Sequence, residues 1–161
     1  MNHDNQQIAN KYLTFVLATE EYAVDILRVQ EIKGWNKVTP IPNTPDYICG
    51  VINLRGTIVP IIDLRLRFGL ERLEYGVMTV VVVVRVVAMT GKERIMGVVV
   101  DAVSDVYDVI ESEIKPPPDF GSVISIEFIK GLASVGEKMV IVLDIDKLLN
   151  SNELAIVEQV A

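Results

Sequence analysis

The 161-residue sequence has one histidine, His3, and one cysteine, Cys49. Because that histidine lies in a polar N-terminal stretch, the folded body cannot assemble a Ser-His-Asp or Cys-His catalytic arrangement or an imidazole metal site. A single cysteine excludes an internal disulfide and is typical of a reducing cytoplasm. Since no base is visible near Cys49, we expect a passive, protonated thiol there. These absences predict that the protein is not an enzyme.

Features that bind nucleic acids, nucleotides or membranes are also scarce. Aromatic residues make up 6% of the chain and the net charge is −7, so neither a stacking platform nor a basic groove for nucleic acid is expected. No glycine-rich loop carries the residues that cradle phosphates, and we predict no cofactor. The run from Val77 to Met89 is too short for a membrane-spanning helix, is broken by Arg85, and is typical of a buried strand. With no N-terminal signal region, a cytoplasmic protein is predicted.

What the sequence does contain is a degraded internal repeat. The string GVINLRGTIVPIIDL, which begins at Gly50, resembles GLASVGEKMVIVLDI, which begins at Gly131, at an offset of 81 that also relates Asp63 to Asp144. A weaker match relates AVDILRVQEI to GVVVDAVSDV at an offset of 74. The repeat predicts two related β-rich halves that pack about a pseudo-dyad, with a groove between them for a partner.

Apolar periodicity and turn residues predict the remaining organisation. Short apolar runs between glycine and proline turns indicate an all-β barrel or sandwich, and a period near 3.6 after Asp144 indicates a short C-terminal helix. We expect one domain over about 12–152, made of a disordered tail over 1–11, a first β-barrel half over 12–74, a second β-barrel half over 75–149 and a helical tail over 150–161.

Three segments carry a resemblance to a known family. They are YAVDILRVQEIKGW from Tyr22, VTPIPNTPDYICGVINLRGTIVPIIDLRLRFG from Val38, and GVVVDAVSDV from Gly97. In this order they closely resemble the CheW-like domain family of chemotaxis coupling proteins, and NLRGTIVPIIDLR is the most specific string. The resemblance covers nearly the whole chain. It implies two intertwined SH3-like five-stranded β-barrels, related by internal duplication, with a hydrophobic core between them.

The resemblance also implies a function. A member of this family would be a non-catalytic adaptor in bacterial chemotaxis signal transduction, a two-component system. It would couple the histidine kinase CheA, through that kinase's own regulatory CheW-like domain, to the cytoplasmic tips of methyl-accepting chemotaxis receptors. The protein would be cytoplasmic and recruited to membrane-bound receptor arrays, which it would help to build, without inserting into the membrane. In the free state a monomer is expected.

By the same resemblance, the partner-binding residues lie in three short segments. We expect them at Val29, Glu31, Asn53, Arg55, Gly56, Val103 and Val106. Arg55 occupies a turn in which Asn, Asp or Lys would be the more usual structural choice, and this favours a partner contact. Two alternatives stay open: Glu31 could pair with Arg55 across neighbouring strands, and Val103 and Val106 could be core residues.

Other residues and functions also stay open. Trp35 could anchor a partner or cap a barrel core. Cys49 stands where many family members have a charged residue. If that charge contacts the kinase, a cysteine at this position would weaken or alter the contact. The rival functions are a module of the same fold with another attachment, a barrel that binds nucleic acid or a small ligand, and a small enzyme built on carboxylates such as Asp101, Asp105 and Asp108.

Overall fold

The computed structural model describes residues 9–88, 90–117 and 126–150. Ten strands form two five-stranded sheets in this part of the chain, which confirms the all-β class. The strands are β1 (Ala9–Leu17), β2 (Glu20–Asp25), β3 (Val29–Gly34), β4 (Ile48–Leu54), β5 (Thr57–Asp63), β6 (Val80–Val87), β7 (Glu93–Val100), β8 (Ala102–Ile110), β9 (Ile129–Val135) and β10 (Lys138–Leu143). Two short helices, α1 (Leu64–Arg67) and α2 (Ile145–Leu149), follow β5 and β10.

Each sheet draws its strands from both halves of the sequence. Barrel 1 has the order β8-β1-β2-β10-β9, and barrel 2 has the order β3-β6-β7-β5-β4. The chain therefore starts in barrel 1, moves to barrel 2 after β2, and returns to barrel 1 after β7. Since the exchange joins both halves of the sequence in each barrel, the fold is intertwined, as expected.

The internal repeat relates the two barrels strand by strand. In barrel 1, β2 and β10 pair in parallel with Ala23 opposite Val142; in barrel 2, β7 and β5 pair in parallel with Gly97 opposite Ile61. These two pairs are equivalent under the sequence offsets of 74 and 81. The repeated aspartate at the end of β5 or β10 also has one role in both copies, because its side chain accepts a backbone N–H of the following short helix. The repeat is therefore present in the structure as well as in the sequence.

Two repeated glycines allow each barrel to close. The segment after β3 forms a bridge to β4 between Thr39 and Val51, and the segment after β8 forms the equivalent bridge to β9 between Lys115 and Leu132. A Cβ atom on Gly50 would lie 2.2 Å from the carbonyl oxygen of Thr39, and one on Gly131 would lie 2.5 Å from that of Lys115. Only glycine permits this approach of two backbones.

The buried apolar residues in the described part of the chain form three cores. One core fills each barrel, and a larger central core lies between the barrels. Strand β6 serves two of them, because Val81 and Val83 point into barrel 2 whereas Val82 and Val84 point into the central core. A strand buried on both faces needs apolar residues at every position, which explains the unbroken valine run. Both short helices add leucines to the central core.

The structure corrects two expected boundaries. β6 begins at Val80, and the preceding Val77 and Met78 are 99% and 81% exposed in a turn closed by the Thr79 N–H bound to the Gly76 carbonyl. The strand expected from Val77 was therefore wrong at its start. At the N terminus, β1 begins at Ala9 because residues 9–11 pair with β8, so this part of the expected tail is strand. Residues 1–8 and the expected helical tail after residue 150 lie outside the described residues.

Candidate partner-binding surface

The first part of the expected surface is the hairpin turn between β4 and β5. Its two central residues, Arg55 and Gly56, have φ values of 50° and 91°, the signs of a type I′ turn. Asn53 closes the turn, since its Oδ1 atom accepts the backbone N–H of Gly56 at 2.8 Å. Asn53 and Gly56 therefore shape this turn, and Arg55 is the residue whose side chain it presents.

The Arg55 side chain contacts one other expected site residue. It is 72% exposed, and its Nη2 atom lies 2.5 Å from Oε1 of Glu31, whose side chain is 29% exposed. The expected ion pair is confirmed, but β3 and β4 are not neighbours: they are opposite edges of the same sheet, brought together by closure of barrel 2. A pair this exposed adds at most about 1 kcal/mol to stability.

The second part of the surface consists of three valines on edge strands, named here the edge valines: Val29, Val103 and Val106. Val29 lies on β3 at the edge of barrel 2, is half-buried, and packs against the central core. Val103 lies on β8 at the edge of barrel 1 and also packs against the central core. The edge valines therefore extend the central apolar layer towards the surface from both barrels.

The register of β8 decides between core and surface for its two valines. Val103 lies opposite Phe15 and Val106 opposite Leu13, with a bulge between, so both valines face the central core side of barrel 1 although they are three residues apart. Val103 is half-buried there, whereas Val106 is 43% exposed. Val103 is thus largely a core residue, and Val106 offers apolar surface to a partner.

Two exposed apolar residues beside Val29 were missed from the sequence. Leu27 is 71% exposed in a single 3₁₀ turn, and Ile32 on β3 is 46% exposed. Ile32 lies opposite Val82, a central-core residue, so it shares the face of Val29 after a register shift between Val29 and Glu31. Strict alternation would have placed Val29 and Ile32 on opposite faces, and only the bulge, which sequence did not reveal, puts them together.

Cys49 and Trp35 belong to the packing of barrel 2. The Cys49 sulfur lies 3.4 Å from the Tyr75 hydroxyl, which donates a hydrogen bond to the buried Asp63 carboxylate at 2.5 Å. Burial raises the pKa of the Cys49 thiol, which agrees with the expected passive role. Trp35 stacks on Tyr75 with ring centroids 4.2 Å apart and packs against the core of barrel 2, so the core-capping alternative describes it.

Comparisons with known proteins agree with this architecture. The profile of the CheW-like domain matches residues 11–153. The chain belongs to the CheW-like domain family. It is 47% identical over 156 residues to the chemotaxis protein CheW of Klebsiella aerogenes, covering 97% of this chain and 91% of that protein. It is 37% identical to the chemotaxis protein CheW of Rhizobium meliloti over 141 residues, 88% of each chain.

A solved structure of a CheW-like protein has the same fold. The scaffolding protein TtCheW from Thermoanaerobacter tengcongensis superposes with a TM-score of 0.78 at 36% identity, covering 91% of this chain and 96% of that one. The resemblance first seen in three segments of the sequence is therefore confirmed over the whole CheW-like domain. Chemotaxis and scaffolding are the class of role that these comparisons support. Among the described residues, no helix has the length and apolar character to cross a membrane.

Proposed function

We propose that this protein is a non-catalytic adaptor that couples the histidine kinase CheA to the cytoplasmic tips of methyl-accepting chemotaxis receptors. The observation that carries the proposal is the family match from residue 11 to residue 153, which includes both barrels and the turn that presents Arg55. The solved relative described as a scaffolding protein supports the same class of role. We infer that Arg55 contacts a partner directly, with Glu31 holding it through their ion pair, and that Val29 and Val106 supply the apolar contacts of the edge valines.

The edge valines suit a helical partner. Val29, Ile32 and Val106 present apolar side chains on the edge strands beside the central core, and Leu27 adds another from the 3₁₀ turn before β3. A receptor tip is an antiparallel helical hairpin, and an amphipathic helix lays its apolar face against a surface of this kind. Arg55 would add a polar contact at the rim, where a charge governs specificity and association rate more than affinity.

Kinase binding would use a contact between related barrels. The regulatory domain of the kinase has the same fold, and exposed strand edges and barrel ends are ready sites for pairing between like folds. A signalling contact must exchange, so we expect each interface alone to bind with a Kd of ~1 μM or weaker. Avidity in a receptor array would strengthen the assembly. The adaptor would be cytoplasmic and recruited to membrane-bound arrays by these contacts.

Reconstitution tests the proposal directly. The purified chain is mixed with a receptor cytoplasmic fragment and a kinase regulatory fragment from the same source, and co-sedimentation is measured with and without each partner. Val106→Glu is compared with the matched control Val77→Glu, because Val77 is apolar and exposed but lies outside the proposed surface. We expect Val106→Glu to lose receptor binding, Val77→Glu to keep it, and co-sedimentation of the kinase fragment with the receptor fragment to require this chain.

Two results would contradict the proposal. Binding of the unmodified chain to neither fragment would leave the fold and family intact but would assign the role to other partners. Equal loss of receptor binding in both variants would show that added negative charge, rather than the edge-valine surface, causes the effect.

A further inference from the structure

The places where the chain passes from one barrel to the other share an unexpected feature. In the described part of the chain there are two such crossings, between β2 and β3 and between β7 and β8. The first crossing contains Arg28 and the second contains Asp101. Each of these residues forms a bidentate ion pair with a residue of the short helix that belongs to the barrel the chain is leaving.

At the crossing between β7 and β8, Asp101 is the acceptor. The Arg65 side chain of α1 donates from Nε to Oδ1 at 2.7 Å and from Nη2 to Oδ2 at 2.8 Å. Oδ2 also accepts the backbone N–H of Ala18, just after β1, at 2.8 Å. Helix α1 follows β5 of barrel 2, whereas β1 belongs to barrel 1. One carboxylate therefore joins a helix of barrel 2 to a strand end of barrel 1.

At the crossing between β2 and β3, the basic residue lies in the crossing and the acidic residue lies in the short helix, the reverse of the arrangement at the other crossing. Arg28 donates from Nη1 to Oδ1 of Asp146 at 2.9 Å and from Nη2 to Oδ2 at 2.7 Å. Oδ1 of Asp146 also accepts the backbone N–H of Val87, the last residue of β6, at 2.9 Å. Asp146 lies in α2, which follows β10 of barrel 1, whereas β6 belongs to barrel 2.

The two arrangements are equivalent under the internal repeat. Arg65 and Asp146 are related by the offset of 81, and Arg28 lies within one residue of the position related to Asp101 by the offset of 74. The acid and the base have exchanged places, yet each carboxylate keeps both its guanidinium and a strand-end N–H from the other barrel. Recurrence of one connection with opposite polarity indicates that the connection itself matters, rather than the charge at either position.

We propose that these two ion pairs, the crossing locks, hold the barrels in one relative orientation so that the domain moves as a single body. Both locks are shielded: their side chains are 15% and 18% exposed at Arg65–Asp101 and 30% and 30% exposed at Arg28–Asp146. A bidentate guanidinium–carboxylate pair fixes angle as well as distance, which a purely apolar core contact does not. Given the proposed adaptor function, a displacement imposed on one barrel by one partner would reach the partner on the other.

The test measures the distance between the barrels in the chain alone, without any partner. Spin labels are placed at the exposed Ser134 of barrel 1 and Thr57 of barrel 2 in a Cys49→Ser background, and the distance distribution is recorded by pulsed electron paramagnetic resonance. Asp101→Asn opens one lock while keeping an acceptor for the Ala18 N–H. The matched control is Asp108→Asn, since Lys11–Asp108 is an ion pair within barrel 1 with both side chains 65% exposed.

We expect a narrow distribution in the parent and the control, and a broader or shifted one in Asp101→Asn. Arg28→Gln, which opens the other lock, should act in the same direction. Loss of a shielded charged hydrogen bond should also raise the unfolded-to-folded ratio by roughly tenfold or more, against little change in the control.

A distribution in both lock variants as narrow as in the parent would overturn the proposal, even if stability fell. Equal broadening in Asp108→Asn would overturn it too. Because no partner is present, either result is independent of the proposed adaptor function.

Discussion

Replacing Arg55 by asparagine separates a structural role for this turn residue from a partner-binding one. Arg55 has a φ of 50°, a left-handed conformation that costs a non-glycine residue about 1 kcal/mol or more and that asparagine adopts more readily. The substitution removes the exposed contact to Glu31, which contributes at most about 1 kcal/mol. The two effects oppose each other, so the free energy of unfolding should change by less than about 0.5 kcal/mol.

The assay therefore compares two measurements on one variant. Denaturant unfolding should show Arg55→Asn to be as stable as the unmodified chain, whereas binding to the receptor or kinase fragment should weaken. Loss of one polar contact at an interface corresponds to roughly tenfold in Kd, or about 1.4 kcal/mol. Glu31→Gln provides the matched control, because it removes the same ion pair and leaves the Arg55 side chain available to a partner.

Three results would refute this reasoning about Arg55. Unchanged binding of Arg55→Asn to both fragments would show that the exposed guanidinium contacts neither. Exposed ion pairs contribute at most about 1 kcal/mol, so a much larger destabilisation in Arg55→Asn would show that the Arg55 side chain has a structural role. Equal weakening in Glu31→Gln and Arg55→Asn would mean that the ion pair acts as a unit, so that its geometry rather than a partner contact matters.

Three further predictions concern packing and the thiol. Gly131→Ala should lower the free energy of unfolding measured with denaturant by about 1–3 kcal/mol, because the new Cβ would lie 2.5 Å from the Lys115 carbonyl oxygen. Gly34→Ala is the control and should be tolerated, since a Cβ there would have nothing within 4 Å. Equal stability of the two variants would contradict the proposed role of Gly131 in barrel closure. Ile61 is 1% exposed, so Ile61→Asp should abolish the cooperative thermal transition seen by circular dichroism. Ile58→Asp, on the same strand but at a residue that is 46% exposed, should keep the transition. Intact folding of Ile61→Asp would show that the assignment of inward and outward side chains in β5 is wrong. The raised pKa of the Cys49 thiol predicts that the folded chain is alkylated more slowly near neutral pH than the denatured chain, with a rate that rises as pH increases. Because the folded state favours the protonated thiol, the contribution of Cys49 to stability is present at neutral pH and is lost as pH rises through the folded pKa.

Several local features were predictable because they depend on neighbours in sequence. The positive φ of Gly56 follows from the Arg55-Gly56 turn between two apolar runs. The valine run was rightly assigned to a buried strand, since β-branched residues without polar alternation fit a strand covered on both faces. The start of that strand was not predictable, because Val77 and Met78 are as apolar as the valines that follow and only the Gly76–Thr79 turn exposes them.

Other features depend on contacts between distant segments. Ile32 shares the face of Val29 because a bulge in β3 shifts the register, and a bulge leaves no reliable mark in one sequence. Val103 and Val106 share one face for a similar reason, since a register shift lies between them in the pairing of β8 with β1. The Glu31–Arg55 pair was foreseen as a contact, but the barrel closure that produces it was not.

By itself, the sequence determined the all-β class, the duplication and the buried strands, because periodicity, turn residues and internal repetition can be read along a single chain, and its resemblance to known proteins indicated the family. Only the tertiary structure decided which strands share a barrel. It also decided which valines reach the surface and how the two crossings are held. The crossing locks join residues 36 and 118 positions apart, and no local preference brings such residues together. They meet because β5 pairs in parallel with β7 and β2 pairs in parallel with β10, which brings strand ends that are distant in sequence side by side.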